Sequence, residues 1–346
     1  MKPKNVTIKE VAKRAGVSIA TVSRVVNGNY YVGPEMKQRV NEAIAELDYQ
    51  PNFFARSLKG ASSLTIAILV SDISNSYFNL VAKAIENVVW LHDYHLIFGS
   101  TEGRAERERA TLNNLVNKKI DGLILNTTGH NDRYVVQISK TLPIVLLHRR
   151  LNARGFKGDF VDSDNHFGAA TLTRNLLNAG HSRIAVINGS LDLSSGQERF
   201  AGFCDTMGEF GAKIDAGCPD VYNGDFTAQS GYDGMAYVHR ERPDVTGVVV
   251  MNNAMTMGAL RYLREHRLRV PEDYSIVCYG DIVNRDLMYV RPSNVSLDPN
   301  TIGSRAADML ISRIEKPASR RRQFLYEPLF NAGESVSAPR RVPIIA

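Results

Sequence analysis

The sequence predicts an α/β chain in two parts: an N-terminal three-helix, helix-turn-helix headpiece, then a large body of two doubly wound parallel sheets. Three observations predict it. From Leu64 onward, short β-branched and apolar runs alternate with segments of helical length. Before that point the chain has only small amphipathic helical patterns. The charge also divides near the same place. Residues 1–60 carry ten Lys/Arg against five Asp/Glu, whereas the other 286 carry 32 against 31. Nearly all of the net charge of +6 therefore sits in the first sixth of the chain, as expected when one end faces phosphates and the other does not.

Bulk composition narrows the classes further. At 346 residues, 44% hydrophobic and 23% charged, the chain is long enough for two or three packed units. It has no run of eighteen apolar residues, which argues against a helical membrane span. The basic start, MKPKNVTIKEVAKR, has no apolar stretch behind it, so no signal peptide is expected and a cytoplasmic location is. Cys204, Cys218 and Cys278 are few and widely spaced, without CxxC or histidines at metal spacing. Reduced thiols, no metal site and no cofactor are expected.

In the headpiece, Thr7 and Glu10 have the spacing of a capping box, opening a first helix with Ile8, Val11 and Ala12 on one face. Gly16 suits the left-handed backbone of a tight turn between helices. Ser18 can cap a second helix from Ile19 to about Val26, with Val22 and Val25 inward. Small Ala12, then Gly16, then β-branched Val22 is helix-turn-helix spacing. Pro34-Glu35 opens a third helix with Met36, Val40, Ala43, Ile44 and Leu47 as an apolar stripe. Such a unit of about fifty residues lays its second helix in the major groove of DNA. Ile19 and Ala20 are then placed for apolar contact with base edges, and Arg24 for a guanine. Thr7, Ser18, Thr21, Ser23 and Asn27 suit phosphate oxygens; taken singly, each hydroxyl can equally be a helix cap or a solvent contact.

The residues of this headpiece carry a resemblance. Val6-Thr7-Ile8-Lys9-Glu10-Val11-Ala12-Lys13-Arg14-Ala15-Gly16-Val17-Ser18, then Ala20-Thr21-Val22-Ser23-Arg24-Val25-Val26-Asn27, resembles the headpiece of the LacI/GalR family of bacterial repressors. So does Leu47-Asp48-Tyr49-Gln50-Pro51-Asn52 with Ala55-Arg56-Ser57-Leu58. The resemblance implies a hinge helix near 52–59 that orders on operator DNA, with Asn52, Ala55, Arg56 and Leu58 at the minor groove. An apolar Leu58 in a polar hinge suits a wedge that unstacks bases and bends the duplex. Lys59-Gly60-Ala61-Ser62-Ser63 reads as linker.

In the body, strands are expected at Leu64–Val70, Tyr94–Phe98, Asp121–Leu125, Pro143–Leu147, Ile184–Ile187, Val248–Met251 and Ser275–Tyr279, each followed by a helix. A break near Asp162-Ser163-Asp164 separates two series, and ligands bind such folds at the C-terminal ends of the strands. The family resemblance extends here through Asp72-Ile73-Ser74-Asn75-Ser76-Tyr77-Phe78, Asp121-Gly122-Leu123-Ile124-Leu125-Asn126, Asn178-Ala179-Gly180-His181-Ser182-Arg183-Ile184 and Gln197-Glu198-Arg199-Phe200-Ala201-Gly202-Phe203. It implies a two-lobed, periplasmic-binding-protein-like domain with three crossovers. The expected units are 1–50, 51–63 and 64–346, with one lobe at about 64–162 and 293–320 and the other at 163–292 and 321–340.

The resemblance also implies an effector pocket made of Asp72, Asn75, Tyr77, Phe78, Asn126 and His148 from one lobe, and Arg199, Phe226, Asn252 and Asp281 from the other. Amides, carboxylates and a guanidinium pair with vicinal hydroxyls, and an aromatic face covers a sugar ring. Asp72 and Asn126 can alternatively cap the helices that follow them, and Tyr77 and Phe78 can be core. The chain departs from the family pattern at Asn252-Asn253, at Cys278-Tyr279-Gly280-Asp281 and at His148-Arg149, where family members often carry more acid. The expected function is a dimeric repressor of carbohydrate-metabolism genes under a sugar-like effector; the alternative is a sensor of a non-sugar or phosphorylated co-repressor. An enzyme is not expected, since GxGxxG, GxxxxGK[ST] and GxSxG are absent and His181 falls in a structural motif. The end of the chain has no leucine heptad, so no coiled-coil tetramer is expected.

Overall fold

A computed structural model describes residues 6–27, 30–49 and 62–340. Asn52, Ala55, Arg56, Leu58 and the expected hinge helix lie outside the described residues, as does the side chain of Asn27. The chain divides into two compact units at Ser63/Leu64.

The first unit contains α1 (Ile8–Ala15), α2 (Ile19–Asn27) and α3 (Pro34–Glu46). The Glu10 carboxylate accepts from the Thr7 backbone N–H at 2.7 Å and from its hydroxyl at 2.9 Å, closing the start of α1. Gly16 ends that helix at φ +65°, and the Val17 N–H reaches back to the Ala12 carbonyl at 3.1 Å. Arg39 from α3 donates to the Ala15 carbonyl at 2.6 Å, so close that a Cβ on Gly16 would lie 2.5 Å from its guanidinium. The turn thus favours glycine for its left-handed dihedral, and a side chain there would also displace the Arg39 guanidinium. Val11, Ala12, Ala15, Val22, Val40 and Ala43 form the core. Met36, expected in the apolar stripe, is instead 44% exposed. The buried side chains between these helices are small, and the core they fill closes one turn short of it.

The second unit holds two six-stranded sheets. The first contains β1 (Thr65–Val70), β2 (His95–Ser100), β3 (Gly122–Leu125), β4 (Ile144–Leu147) and β5 (Asp159–Ser163). Between them run α4 (Ser76–Trp90), α5 (Ala105–Asn117) and α6 (Asp132–Ile138). The chain then enters the second lobe through α7 (Asn165–Asn178) and builds β6 (Ile184–Asn188), α8 (Ser194–Glu209), β7 (Val221–Asn223) and α9 (Ala228–Glu241). It continues through β8 (Gly247–Val250), α10 (Asn253–Glu265), β9 (Ser275–Tyr279) and β10 (Ser293–Ser296). Last come α11 (Pro299–Glu315), β11 (Gln323–Tyr326) and β12 (Leu329–Asn331).

The strand orders are β11-β5-β4-β3-β1-β2 and β12-β10-β9-β8-β6-β7. All pairings are parallel except β10 with the edge strand β12. Successive strand residues alternate between the two faces of the first sheet. Ile66, Ile68 and Val70 join the larger core, while Ala67 and Leu69 pack with Leu123, Ile144 and Phe160 on the other side.

Two strands depart from the expected lobe limits. β10, expected with the first lobe, pairs with β9, setting Asn294 opposite Cys278. β11, expected with the second, pairs with β5, setting Leu325 opposite Asp162. Backbone pairing rather than apolar content places these short strands. β5, DFVDS, was not expected as a strand at all, since two of its five residues are aspartates. Asp159 is buried because Arg313 donates to it at 2.6 and 2.9 Å and Arg322 at 2.7 and 2.9 Å, binding α11 and the approach to β11 onto the first sheet. Burial alone would raise the Asp159 carboxyl, but the Arg313 and Arg322 donors outweigh it and hold the group below the usual carboxylate range.

The three cysteines are unpaired, and burial pushes the Cys278 thiol up to about 12. Among the described residues no helix is long and apolar enough to cross a membrane, and no cluster of metal-ligating side chains occurs.

Candidate functional site

In the first unit, α2 turns Ile19, Ala20 and Arg24 outward, with Ile19 42% exposed. An exposed isoleucine beside an alanine at the start of a helix contributes nothing to the core of this unit. The Ser18 hydroxyl accepts the Thr21 N–H at 3.1 Å and meets the Thr21 hydroxyl at 2.9 Å, so both residues serve the helix cap. The Thr7 hydroxyl is likewise turned onto Glu10. Ser23 is half-buried, and Arg24 lies 5.7 Å from the centre of the exposed Tyr30 ring.

In the second unit a cavity of about 480 Å³ opens between the lobes at the C-terminal ends of their strands. All ten residues expected of a pocket line it: Asp72, Asn75, Tyr77, Phe78, Asn126, His148, Arg199, Phe226, Asn252 and Asp281. Their roles within it differ. Asn75 caps α4 by accepting the Tyr77 N–H at 3.0 Å, and Asn252 caps α10 by accepting the Met255 N–H at 2.7 Å. The cap open to Asp72 therefore falls to Asn75, and the helix after Asn126 has no side-chain cap. Asp72 instead accepts from the Ser74 N–H and hydroxyl at 2.7–2.8 Å. Asn126 donates to the Leu147 carbonyl at 2.9 Å, leaving its side-chain oxygen buried with no partner.

The lobes are joined across this cleft by a reciprocal amide pair. Asn75 donates to Asn253 at 3.0 Å and Asn253 donates back at 2.9 Å. Deeper in, a chain of bonds runs from Tyr77 through His148 to Asp162. Since the carboxylate can only accept, His148 Nδ1 donates to Asp162 at 2.9 Å and Nε2 faces the Tyr77 hydroxyl at 2.9 Å. Burial, with Asp281 and Asp162 nearby, pushes the Tyr77 phenol well up and keeps it neutral.

His148 and Phe226 have left-handed backbones, φ +61° and +70°. Each costs about 1–2 kcal/mol for a residue with a Cβ. Phe226 is held by the Asn252 amide on its carbonyl at 2.9 Å, and its ring covers Gly189 so tightly that a Cβ there would lie 2.0 Å from the ring. Burial pushes the Asp281 carboxyl up, opposed by the Ser296 hydroxyl and the Leu297 N–H.

Among the lining residues that the expected set omitted are Arg149, Asn253 and Tyr279. Each adjoins an expected residue or ends a strand, so position after a strand was the signal available. Arg149 donates to the Thr127 carbonyl at 2.9 Å, and Arg199 stacks 3.8 Å over the Tyr279 ring. His181, by contrast, lies outside the cavity lining, bound to the Thr246 hydroxyl and the Ser337 carbonyl in the turn before β6.

Comparison with known proteins agrees with both units. Residues 7–52 match bacterial regulatory proteins of the lacI family, and residues 173–336 match the periplasmic binding protein-like domain. The chain is 34% identical over 313 residues to the HTH-type transcriptional repressor PurR of Erwinia tasmaniensis, covering 89% of this chain and 90% of that one. It is 32% identical over 331 residues to the ribose operon repressor of Escherichia coli K12, covering 93% and 97%. Among solved structures, the lac repressor dimer bound to operator and the anti-inducer ONPF superposes with a TM-score of 0.80 at 26% identity, over 97% of this chain and 100% of that one. A complex of the transcriptional regulator CelR with cellobiose gives 0.72 at 27% identity, over 96% and 100%.

Proposed function

The chain belongs to the LacI family of bacterial regulatory proteins, a DNA-binding transcription regulator and not an enzyme, and from that premise we propose how its two units act. The chain binds a two-fold-symmetric operator in the cytoplasm as a homodimer, one headpiece per half-site, and represses genes of small-molecule metabolism. Ile19 and Ala20 read base edges by apolar contact and Arg24 by hydrogen bonds, while the capping hydroxyls of Thr7, Ser18 and Thr21 sit where phosphates pass. Asn27, Asn52, Ala55, Arg56 and Leu58 complete the contact as the family resemblance implies.

The effector occupies the cleft. Phe226 covers one face of it, and Asn126, Asp72 and Asp281 meet its polar groups. An effector that binds one arrangement of the lobes better shifts operator affinity by no more than its differential affinity, typically about 1–3 kcal/mol or about 5–150-fold. The observation that carries this reading is an exposed apolar-and-arginine face on α2, in a chain that also builds a cleft between two lobes lined by both polar and apolar side chains.

The test is selection from random double-stranded DNA by the full chain at near-physiological salt, where purely electrostatic binding has faded. A two-fold-symmetric motif is expected. No enriched motif, with or without cell extract as a source of co-repressor, overturns the proposal.

A further inference from the structure

We propose that the effector of this cleft carries an anionic group, a carboxylate or a phosphate, seated between the guanidiniums of Arg149 and Arg199. The inference rests on the effector reading above and narrows its chemistry. Both arginines line the cavity and both are more than nine-tenths buried, with 9% and 7% of their surface exposed. Every acceptor they hold is neutral. Arg149 donates to the Thr127 carbonyl, and Arg199 donates to the Asn165 amide oxygen at 2.8 Å and the Met251 carbonyl at 2.6 Å. Neither forms an ion pair among the described residues. The third arginine buried to this degree, Arg313, is bound two-fold by Asp159. A buried guanidinium without an anion is expensive, and the molecule supplies one elsewhere but not here.

The two cations also share one neighbour. Both guanidiniums stand beside the Phe226 ring, 5.6 and 5.8 Å from its centre. Burial, and then the charge of Arg199, pull Arg149 down to about 10. Glu108 is the acid whose field reaches Arg149, but its oxygens accept from Thr128 and Asn131. Five acids share the lining, Asp72, Glu102, Asp192, Asp225 and Asp281, and none bonds either arginine: Asp72 holds Ser74, Glu102 pairs with Arg107, Asp225 holds Thr227, Asp281 accepts the Leu297 N–H, and Asp192 is exposed. The first turn of α8, which lines the cavity through Ser195, has neither a capping side chain nor an acid. Its N–H groups and dipole add to the same positive field.

The test compares ligands on the full chain by calorimetry at matched ionic strength. Neutral aldoses are set against the matching sugar acids, the matching sugar phosphates, and inorganic phosphate as the minimal probe. At least one acid or phosphate is expected to bind about tenfold or more tightly than its neutral parent, as charge-assisted hydrogen bonds are stronger than neutral ones. Which series responds separates carboxylate from phosphate. Arg149→Gln and Arg199→Gln should each remove most of that preference, with Arg149→Lys restoring part of it. Neutral parents binding as tightly as their acids, or no anion binding at all, overturns the inference. A preference that survives both Gln substitutions overturns its assignment to these arginines. DNA selection by the same preparation tells such a failure apart from failure of the regulator reading.

Discussion

Val22→Ala tests the headpiece as a physically separate device. Val22 is fully buried in a core of six side chains, three of them alanines. Removing two methyl groups forfeits about 1.6 kcal/mol of transfer free energy at about 0.8 per group. The space left, about 50 Å³, adds about 1 kcal/mol if the helices cannot close on it, at about 24 cal/mol per Å³. Arg39, anchored on the turn at Ala15 and Gly16, opposes such closure. The sum is about 2–3 kcal/mol. A unit of about 45 residues commands only about 2–7 kcal/mol in total, at about 0.05–0.15 per residue. The unfolded headpiece population should therefore rise about 30- to 150-fold, and operator affinity should fall in proportion to the folded fraction lost.

Hydrogen exchange resolved along the chain is the assay. Protection across 8–46 is expected to drop by that factor while the strands of the body keep theirs, and ligand binding in the cleft stays unchanged. A drop of less than about threefold, or equal loss of protection in β1 and β3, would refute both the arithmetic and the independence of the units.

Asn253→Ala removes both amide bonds across the cleft, at about 0.5–1.5 kcal/mol each, so effector affinity should weaken about 5- to 150-fold; unchanged affinity and unchanged small-angle scattering would dismiss the clasp. Asp159→Asn leaves Arg313 facing a neutral amide and should cost the body about 3–5 kcal/mol in denaturant unfolding. Because the Asp159 carboxyl is held low in the folded state, its contribution is present above the unfolded value near pH 4 and lost as pH falls through the folded one. The gap between wild type and variant should accordingly be flat from about pH 5 to 7 and shrink below about pH 4; a gap that persists at low pH would contradict the ion-pair account. Replacing Ile19 and Ala20 together with serine should alter the selected DNA motif without changing the salt slope, which counts phosphates rather than bases. An unaltered motif would remove these two residues from base recognition.

The sequence by itself determined what depends on near neighbours in the chain. Thr7 and Glu10, three residues apart, mark a helix start; Gly16 marks a turn; apolar runs mark buried parallel strands. The ten pocket residues were expected from the family resemblance, and those that directly follow a strand reach one cavity for a general reason. In parallel α/β sheets, whatever follows a strand emerges at the same edge, so position along the chain translates into position in the fold.

Only the tertiary structure decided how those residues divide the work. Asn75 and Asn252 read like sugar ligands, but their oxygens cap α4 and α10, because the helices that begin there offer the nearest free N–H groups. The Asn75–Asn253 clasp spans 178 positions, and Asp159 meets Arg313 across 154. No local spacing records such a meeting. The same distance hid β5, whose aspartates read as loop until a partner from the far end of the chain makes their burial tolerable. It hid the state of Arg149 as well: the chain places His148-Arg149 at the cleft, but its spacing does not record that the guanidinium is buried on a neutral carbonyl.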